Sequence, residues 1–523
     1  GYTSYPDNVV KGFIRESARR GIDVFRVFDS LNWLPGMAFA LDEVASAGKI
    51  AEATICYTGD IDDPARDKYP LSYYVDLAKQ LEKAGAHMLC IKDMSGLLKP
   101  YAAQRLVRAL KEELSIPVHL HTHDTSGNQV AAYLLAAEAG VDIVDCALSS
   151  MSSFTSQPSL NAICYALAGT ERDPGMDKQA LSRLSEYWSQ VRPLYAQFEA
   201  GLNSPDTQIY QLEIPGGQYS NFKPQVESLG LGHRFEEVKA MYSTVNQMLG
   251  DIIKVTPSSK MVGDLAIFMV QNNLTPDNIV ERAATLHFPD SVISYFKGMM
   301  GQPKGGFPVD LQKAVLKGEE PITCRPGQLL PPVDLEAVRA SLPETHRDDA
   351  SVLSACLYPK VFEEYLDFLS EYSDLSSMDT HVFLRGMDPG DSTELTIEDG
   401  KTLIIKYIGP GEINQDGTQN VLFELNGAQR AVSIQVDEDA AQRNAPTMAY
   451  SNDQTQIGAS IPGMVSKVPV KVGDAVTPNT ILAVIEAMKM ETNVVSPRAG
   501  TISAIYVEKG DNVAAGQLLF RVE

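Results

Sequence analysis

The sequence holds few cysteines and pairs none of them by spacing. Cys56, Cys90, Cys146, Cys164, Cys324 and Cys356 are scattered, form no CxxC and leave residues 357–523 without a thiol. This excludes a disulfide framework and reads as reduced, cytoplasmic thiols. There is no uninterrupted apolar run of about 18 residues, so no membrane span is indicated. A basic excess is missing too: 44 Lys and Arg stand against 67 Asp and Glu, a net charge of −23. Nucleic acid and anionic membrane surfaces need clustered Lys and Arg and are disfavoured as partners, leaving small molecules and proteins. The chain opens on Gly1, with no initiator Met, basic n-region or apolar h-region, and a fragment is the expectation.

The chain has 523 residues, 44% apolar and 21% charged, enough for roughly three or four domains. From residue 23 to about 168, short apolar runs alternate with helical patterns. The runs are "DVFRVF", "EATICYT", "HMLCIKD", "PVHLHTHD" and "DIVDCALS", and helices are expected near 37–47, 73–84, 101–114, 129–140 and 160–168. Strict alternation predicts a parallel sheet, and continuous apolar strands each followed by a helix suit a (β/α)₈ TIM barrel. Only five or six strands are visible, so the barrel is expected to lack its N-terminal strands.

The predicted architecture is multi-domain α/β. It comprises a partial TIM barrel (1–170), a helical part (171–370), a small antiparallel β module (371–442), a mobile linker (443–456) and a C-terminal β-sandwich (457–523). The β module is read from period-two runs separated by turns at Asp399-Gly400, Asp416-Gly417 and Asn426-Gly427.

The sandwich is read from an internal repeat. Residues 463–486 align without gaps on 500–523 at an offset of 37, with Gly473/Gly510, Asp474/Asp511 and Leu482/Leu519 among eight identities in 24 positions. Two copies of one strand unit imply approximate two-fold symmetry. Between them lies "EAMKMET", which puts Lys489 at an expected hairpin tip. Met488 and Met490 could be ordinary gap-filling residues around a solvated lysine; on a tethered knob, the same lysine suits acylation by a prosthetic group. "EAMKMET" is similar to the biotin attachment site of biotin carboxyl carrier domains, whereas lipoyl domains usually have other neighbours around their lysine.

"HLHTHD" places His119, His121 and His123 on one face near the C-terminal end of a predicted strand, where barrel active sites sit. Neutral imidazoles at i and i+2 can share a divalent metal, or can be satisfied barrel histidines. Lys92, ending the strand of "HMLCIKDMSG", is expected at the same mouth. It either pairs with Asp93 or a substrate carboxylate, or reacts with CO₂ to give an anionic carbamate.

Taken with "FDSLNW", "ICYTGDIDDP", "TSQPSLNA", "PGGQYSN" and "VTPSSKMVGDLAIFMVQN", these motifs resemble the carboxyltransferase domain of the pyruvate carboxylase family, and with the carrier the resemblance spans essentially the whole chain. It implies carboxyl transfer from carboxybiotin to pyruvate, giving oxaloacetate in an anaplerotic, gluconeogenic ligase. It implies biotin on Lys489 and a divalent metal (Zn or Mn) held by Lys92 as carboxylysine with His121 and His123. Thr256 matches the proton-transfer group, Tyr2 a tyrosine near that chemistry, and Ser259 and Lys260 biotin-ring contacts. Read from the residues alone, Thr256-Pro257 could instead start a helix as cap and first residue, with Ser259 and Lys260 solvent-facing in its first turn.

Implied partners are pyruvate, oxaloacetate, carboxybiotin, a biotin protein ligase and three further copies in a homotetramer. The ATP-dependent biotin carboxylase part is expected upstream, since no Gly-rich phosphate loop is present. Two rivals stand beside this reading: the α subunit of oxaloacetate decarboxylase, and an inactive fragment acting only as a biotin acceptor and assembly module.

Overall fold

The computed structural model describes residues 3–199, 201, 204–398, 400–413, 418–435, 448–449, 453, 455–487 and 490–523. The chain divides into two compact units: residues 1–189 with 200–359 and 486–492, and residues 190–199 with 360–485 and 493–523. Among the described residues no helix is long and apolar enough to cross a membrane.

The first unit is built on β1 (Val24–Phe28), β2 (Ile50–Cys56), β3 (Met88–Asp93), β4 (Val118–Thr122) and β5 (Ile143–Val144), hydrogen-bonded in chain order. Each of the four pairings is parallel. Helices α2 (Leu34–Ser46), α3 (Leu71–Lys83), α4 (Pro100–Glu113), α5 (Gln129–Glu138) and α6 (Leu160–Ala166) follow the strands in turn, so the expected alternation is present. A helix that the sequence reading did not include, α1 (Asp7–Arg19), precedes β1.

Side chains alternate across a strand, and here the two faces differ in kind. Ala51, Ala53, Ile55, Leu89, Ile91, Val118 and Leu120 are fully buried. The helices bring matching stripes: α3 buries Tyr74, Leu77, Ala78 and Leu81, and α4 buries Ala102, Ala103, Leu106, Val107 and Leu110. These are the i, i+3, i+4, i+7 positions of one helical face. Each large aliphatic side chain so buried contributes about 1.5–3 kcal/mol. The other face carries Arg26, Glu52, Thr54, Cys90, Lys92, His119 and His121, and the chemistry lies there. The β5 strand is shorter than "DIVDCALS" suggested. Past Val144, Asp145 N still donates to Leu120 O, but Ala147 N and Leu160 N then bond with Pro158 O and Ala147 O.

Helices α7 (Lys178–Val191), α8 (Ile209–Leu212), α9 (Gly216–Ser228), α10 (Phe235–Met248) and α11 (Ser258–Gln271) begin the helical stretch, which runs on to Arg385. Within the first unit, the stretch from α8 to α11 is tied to the loop after β2 by buried charge. Glu213 accepts from Arg66 and, at 2.8 Å, from Lys254, and Arg66 also reaches Asp251 at 2.8 Å.

The second unit contains an antiparallel sheet in the order β6 (Ser392–Glu398), β7 (Lys401–Ile413), β8 (Thr418–Leu425), β9 (Ala428–Gln435). The β8–β9 turn is Asn426-Gly427, both with positive φ (49° and 83°), as a two-residue hairpin requires. Asp399 and the Asp416-Gly417 turn lie outside the described residues.

The two copies supply six short strands, which with Gln456–Gly458 and Met490–Val495 make two four-stranded sheets. Gly463 pairs with Val513, and Gly500 with Val476, so each copy lends a strand to the other and the exchange obeys the 37-residue offset. Polar details repeat as well: Asp474 accepts from Lys471 N and Asp511 from Glu508 N, both at 2.8 Å. Ser466 donates to Val484 O and Ser503 to Arg521 O, both at 3.2 Å. Most of the expected linker lies outside the described residues; Met448 bridges to Gln517, and Ala449 N donates to Gly516 O.

The Glu213 ion pairs generate a pH prediction. Burial alone would raise its carboxyl, but Lys254 and Arg66 outweigh burial and hold it at about 2, against 4.5 in an exposed chain. A depressed carboxyl contributes stability that is present above the unfolded value and is lost as pH falls through the folded one. The contribution is roughly 3 kcal/mol at neutral pH. The urea midpoint should therefore fall between about pH 5 and pH 2, and Glu213→Gln should lower the midpoint at neutral pH while shrinking that fall.

Candidate functional site

The site starts from strand register. Lys92 and His121 are Cα partners across β3 and β4, near the C-terminal end of both strands, and His123 follows one residue after β4. One layer below, Arg26 donates to Glu52 at 2.5 Å and to Asp145 at 2.8 Å. His119 sits between the same carboxylates, Nδ1 at 2.6 Å from Glu52 and Nε2 at 2.9 Å from Asp145. Each ring nitrogen thus faces a carboxylate, and Arg26 Nη2 lies 3.1 Å from Nδ1. Burial pulls the His119 pKa down, but Asp145 and Glu52 outweigh it and the net shift is upward. Arg26 and His119 together satisfy the two carboxylates.

Asp145 reaches one residue further, its Oδ2 lying 2.8 Å from His121 Nδ1. With Nδ1–H donated, Nε2 holds the lone pair, and that atom is buried without a hydrogen-bond partner. Burial lowers the His121 pKa to about 4, so the ring is neutral at physiological pH. His123 repeats the pattern: Nδ1 donates to Thr155 O at 2.5 Å, and burial lowers its pKa. The rings stand 5.2 Å apart at 79°. Two neutral imidazoles with defined tautomers and one orphaned buried acceptor are the donor set a divalent metal takes. Lys92 is alongside. Its Nζ lies 5.8 Å from the Phe28 ring centroid, and among the described residues no carboxylate is within ion-pair distance. Pairing with Asp93 is ruled out by what Asp93 does instead: fully buried, its carboxylate accepts from Ser95, Gly96, Leu97 and Leu98 N and from Thr122 Oγ1.

A second group, Glu52, Cys90 and His119, also converges within 4.8 Å. Its carboxylate and imidazole already bond each other and Arg26, and burial pushes the Cys90 thiol up to about 12. The guanidinium occupies the cationic position there, whereas His121 Nε2 is left without a partner.

Helical segments close over this end of the sheet. Gly216, opening α9, donates N–H to Met94 O at 2.7 Å, and a Cβ on it would stand 2.7 Å from His123 Nδ1. Thr256 is half-buried and joined to Pro257 by a cis peptide bond. The helix begins at Ser258 with Pro257 as its cap, so Thr256 is not the capping residue. Ser258 Oγ lies 3.4 Å from Ser30 O, just past β1, and Lys254 Nζ lies 3.5 Å from Thr58 Oγ1, just past β2. Thr256 is thereby held at the end of the sheet that carries Lys92 and His123. Ser259 and Lys260 are not a solvent-facing first turn: Ser259 is 3% exposed, and Lys260 pairs with Asp264 at 2.9 Å. Tyr2 and Lys489 lie outside the described residues.

Residues 52–187 match the HMGL-like family model, 209–406 the conserved carboxylase domain and 454–522 the biotin-requiring enzyme domain. The carboxyl transferase domain of Rhizobium etli pyruvate carboxylase, solved with pyruvate and biocytin, is 48% identical with a TM-score of 0.79, over 83% of this chain and 74% of that one. This chain belongs to the carboxyl transferase family of pyruvate carboxylases. The complete R. etli pyruvate carboxylase aligns over 100% of the chain and 48% of its own at 45% identity, TM-score 0.79. Pyruvate carboxylase of Bacillus subtilis is 52% identical over 526 residues. The chain spans about half the length of such curated relatives, 46% for the B. subtilis protein.

Arg26, Glu52, Asp145 and Gly216 were not singled out from the sequence. Asp145 alone left a trace, as the polar residue ending an apolar run, but the histidine it orients is 24 residues away. The two glycines opening α9 should respond oppositely to alanine. Gly216→Ala forces a clash with His123 and should cost about 1–3 kcal/mol. Gly217 has nothing within 4 Å of a built Cβ, and Gly217→Ala should stabilise by about 0.4–1 kcal/mol. Urea midpoints of the two variants check both signs.

Proposed function

We propose that this chain performs the carboxyl-transfer half of pyruvate carboxylation: the carboxyl group of carboxybiotin passes to the methyl carbon of pyruvate, giving oxaloacetate. The observation that carries the reading is the neutral His121/His123 pair, with its orphaned Nε2 beside Lys92, in a chain similar to a carboxyl transferase domain solved with pyruvate and biocytin. The relatives that match over the whole chain are pyruvate carboxylases, which favours this reading over an oxaloacetate decarboxylase subunit or a bare biotin acceptor.

A divalent metal, Zn or Mn, fits His121 and His123 together with Lys92 as a carbamate, formed when the amine adds CO₂ and releases a proton. When bound it supplies Lewis-acid polarisation of a carbonyl. Asp145 fixes the His121 tautomer, and the Thr155 carbonyl that of His123. The Thr256 hydroxyl, able to donate and accept, takes a proton from the pyruvate methyl as it gives its own to the biotin ring nitrogen. Ser259 and Lys260, at the start of α11, contact the biotin ring, and Tyr2 stands near the proton transfer. Lys489 bears biotin, installed by a biotin protein ligase. Six free cysteines suit a cytoplasmic setting, and the family supports a homotetramer.

Lys489→Arg should abolish biotin labelling and leave the urea midpoint unchanged; a labelled variant would remove Lys489 as the carrier residue. In the full-length protein, Thr256→Ala should stop oxaloacetate formation yet spare bicarbonate-dependent ATP cleavage, measured by coupled assays. Undiminished oxaloacetate output would take the proton-transfer role away from Thr256.

A further inference from the structure

Lys254 is 2% exposed, two residues before Thr256, and it is a cation. Its three donors meet three segments: Glu213 Oε2 at 2.8 Å, Thr58 Oγ1 at 3.5 Å and Ile252 O at 3.2 Å. The other Glu213 oxygen accepts from Arg66, which also donates to Asp251 at 2.8 Å. Asp251 Oδ1 accepts from Asn246 Nδ2 at 2.8 Å, and Asn246 Oδ1 accepts from Ile252 N at 3.1 Å. Two cations and two carboxylates thus close around residues 251–255 and cancel. Both acids have left-handed backbone, φ 55° at Glu213 and at Asp251, a conformation uncommon for residues other than glycine.

Buried ion pairs seldom repay their desolvation, and an apolar cluster of similar volume would hold two segments together at least as well. Left-handed non-glycine residues add cost and collect where a position must be enforced. What an ionic cluster adds is directional fixing. Here the fixed stretch is the one that carries Thr256: Lys254 anchors it to the loop after β2 on one side, and Ser258 Oγ, 2.7 Å from Val255 O and 3.4 Å from Ser30 O, to the loop after β1 on the other.

We propose that the Arg66–Glu213–Lys254–Asp251 network sets the position of the Thr256 hydroxyl, making Glu213 and Lys254 positioning residues for carboxyl transfer. The inference rests on the proton-transfer reading of Thr256. A hydroxyl displaced by about 1 Å from both proton partners loses on the order of 10²-fold in rate.

The test is a double-mutant cycle in the full-length protein, reading fixation of radiolabelled bicarbonate into oxaloacetate, which is sensitive enough for residual rates. Glu213→Gln keeps the side-chain shape and should lower kcat about 10²-fold, with KM for pyruvate within about twofold and ATP cleavage unchanged. Thr256→Ala should lower it further, and the double variant should match Thr256→Ala alone, because Glu213 acts only through that hydroxyl. A structural weakness would instead multiply the two losses, and multiplied losses overturn the proposal. Normal kcat in Glu213→Gln with inactive Thr256→Ala overturns it while leaving the Thr256 reading intact; normal kcat in Thr256→Ala removes that reading itself. Should Glu213→Gln fail to fold, Lys254→Arg keeps the charge but shifts the contact, and its kcat must fall at least about tenfold for the proposal to stand.

Discussion

The site depends on how Arg26 and His119 satisfy two carboxylates on the inner face of the sheet. Glu52 is almost wholly buried, and His119 nearly so; neither carboxylate nor imidazolium is tolerable there alone. Arg26 and His119 satisfy Glu52 and most of Asp145, and the remaining capacity of Asp145 goes to His121 Nδ1. The consequence is a tautomer: the lone pair of His121 faces the mouth because the proton is committed below. Shape alone would not have fixed that, since an imidazole ring fits its slot equally well with either nitrogen protonated.

Loops complete what the strands begin. Asp93, adjacent to Lys92, folds its carboxylate back onto four successive backbone amides, so the chain turns away after β3. Gly96, with φ 77°, lies where a Cβ would stand 2.4 Å from His123 O, and Gly216 seals the same histidine from the helical side. His123 is therefore packed by backbone on two sides, and its ring has little freedom beyond the orientation that Thr155 O selects.

Much of this was legible because it is periodic or repeated. Alternating apolar runs located β1 to β4 and their helices, and the 37-residue offset foretold a two-fold pairing that extends to Asp474/Asp511 and Ser466/Ser503. Lys92 and His121 were placed at one mouth by strand ends alone, and register made them neighbours. Partners joined only by contact between distant segments were illegible: Arg26 meets Asp145 across 119 residues, and Arg66 meets Glu213 across 147. No local pattern encodes such pairs, because each residue also makes sense as a solvated charge on its own segment. Burial was likewise hidden at α11, where a first turn carrying Ser259 and Lys260 reads as polar yet is enclosed.

The charge arithmetic of the first unit points to what the mouth must accept. Arg26 and His119 are cancelled by Glu52 and Asp145, Arg66 and Lys254 by Glu213 and Asp251, and Lys260 by Asp264. Beside these closed sets, Lys92 has no carboxylate within ion-pair distance among the described residues, and its neighbours His121 and His123 are neutral. An ammonium so placed, in a chain whose net charge is −23, cannot be explained by a surplus of cations. Under the proposed reading it is answered by an anion that arrives later, or by adding CO₂ to become a carbamate. Either resolution leaves His121 and His123 with Nδ1 committed to Asp145 and to Thr155 O and with Nε2 holding the lone pair, the donors that the proposed metal site draws on beside Lys92.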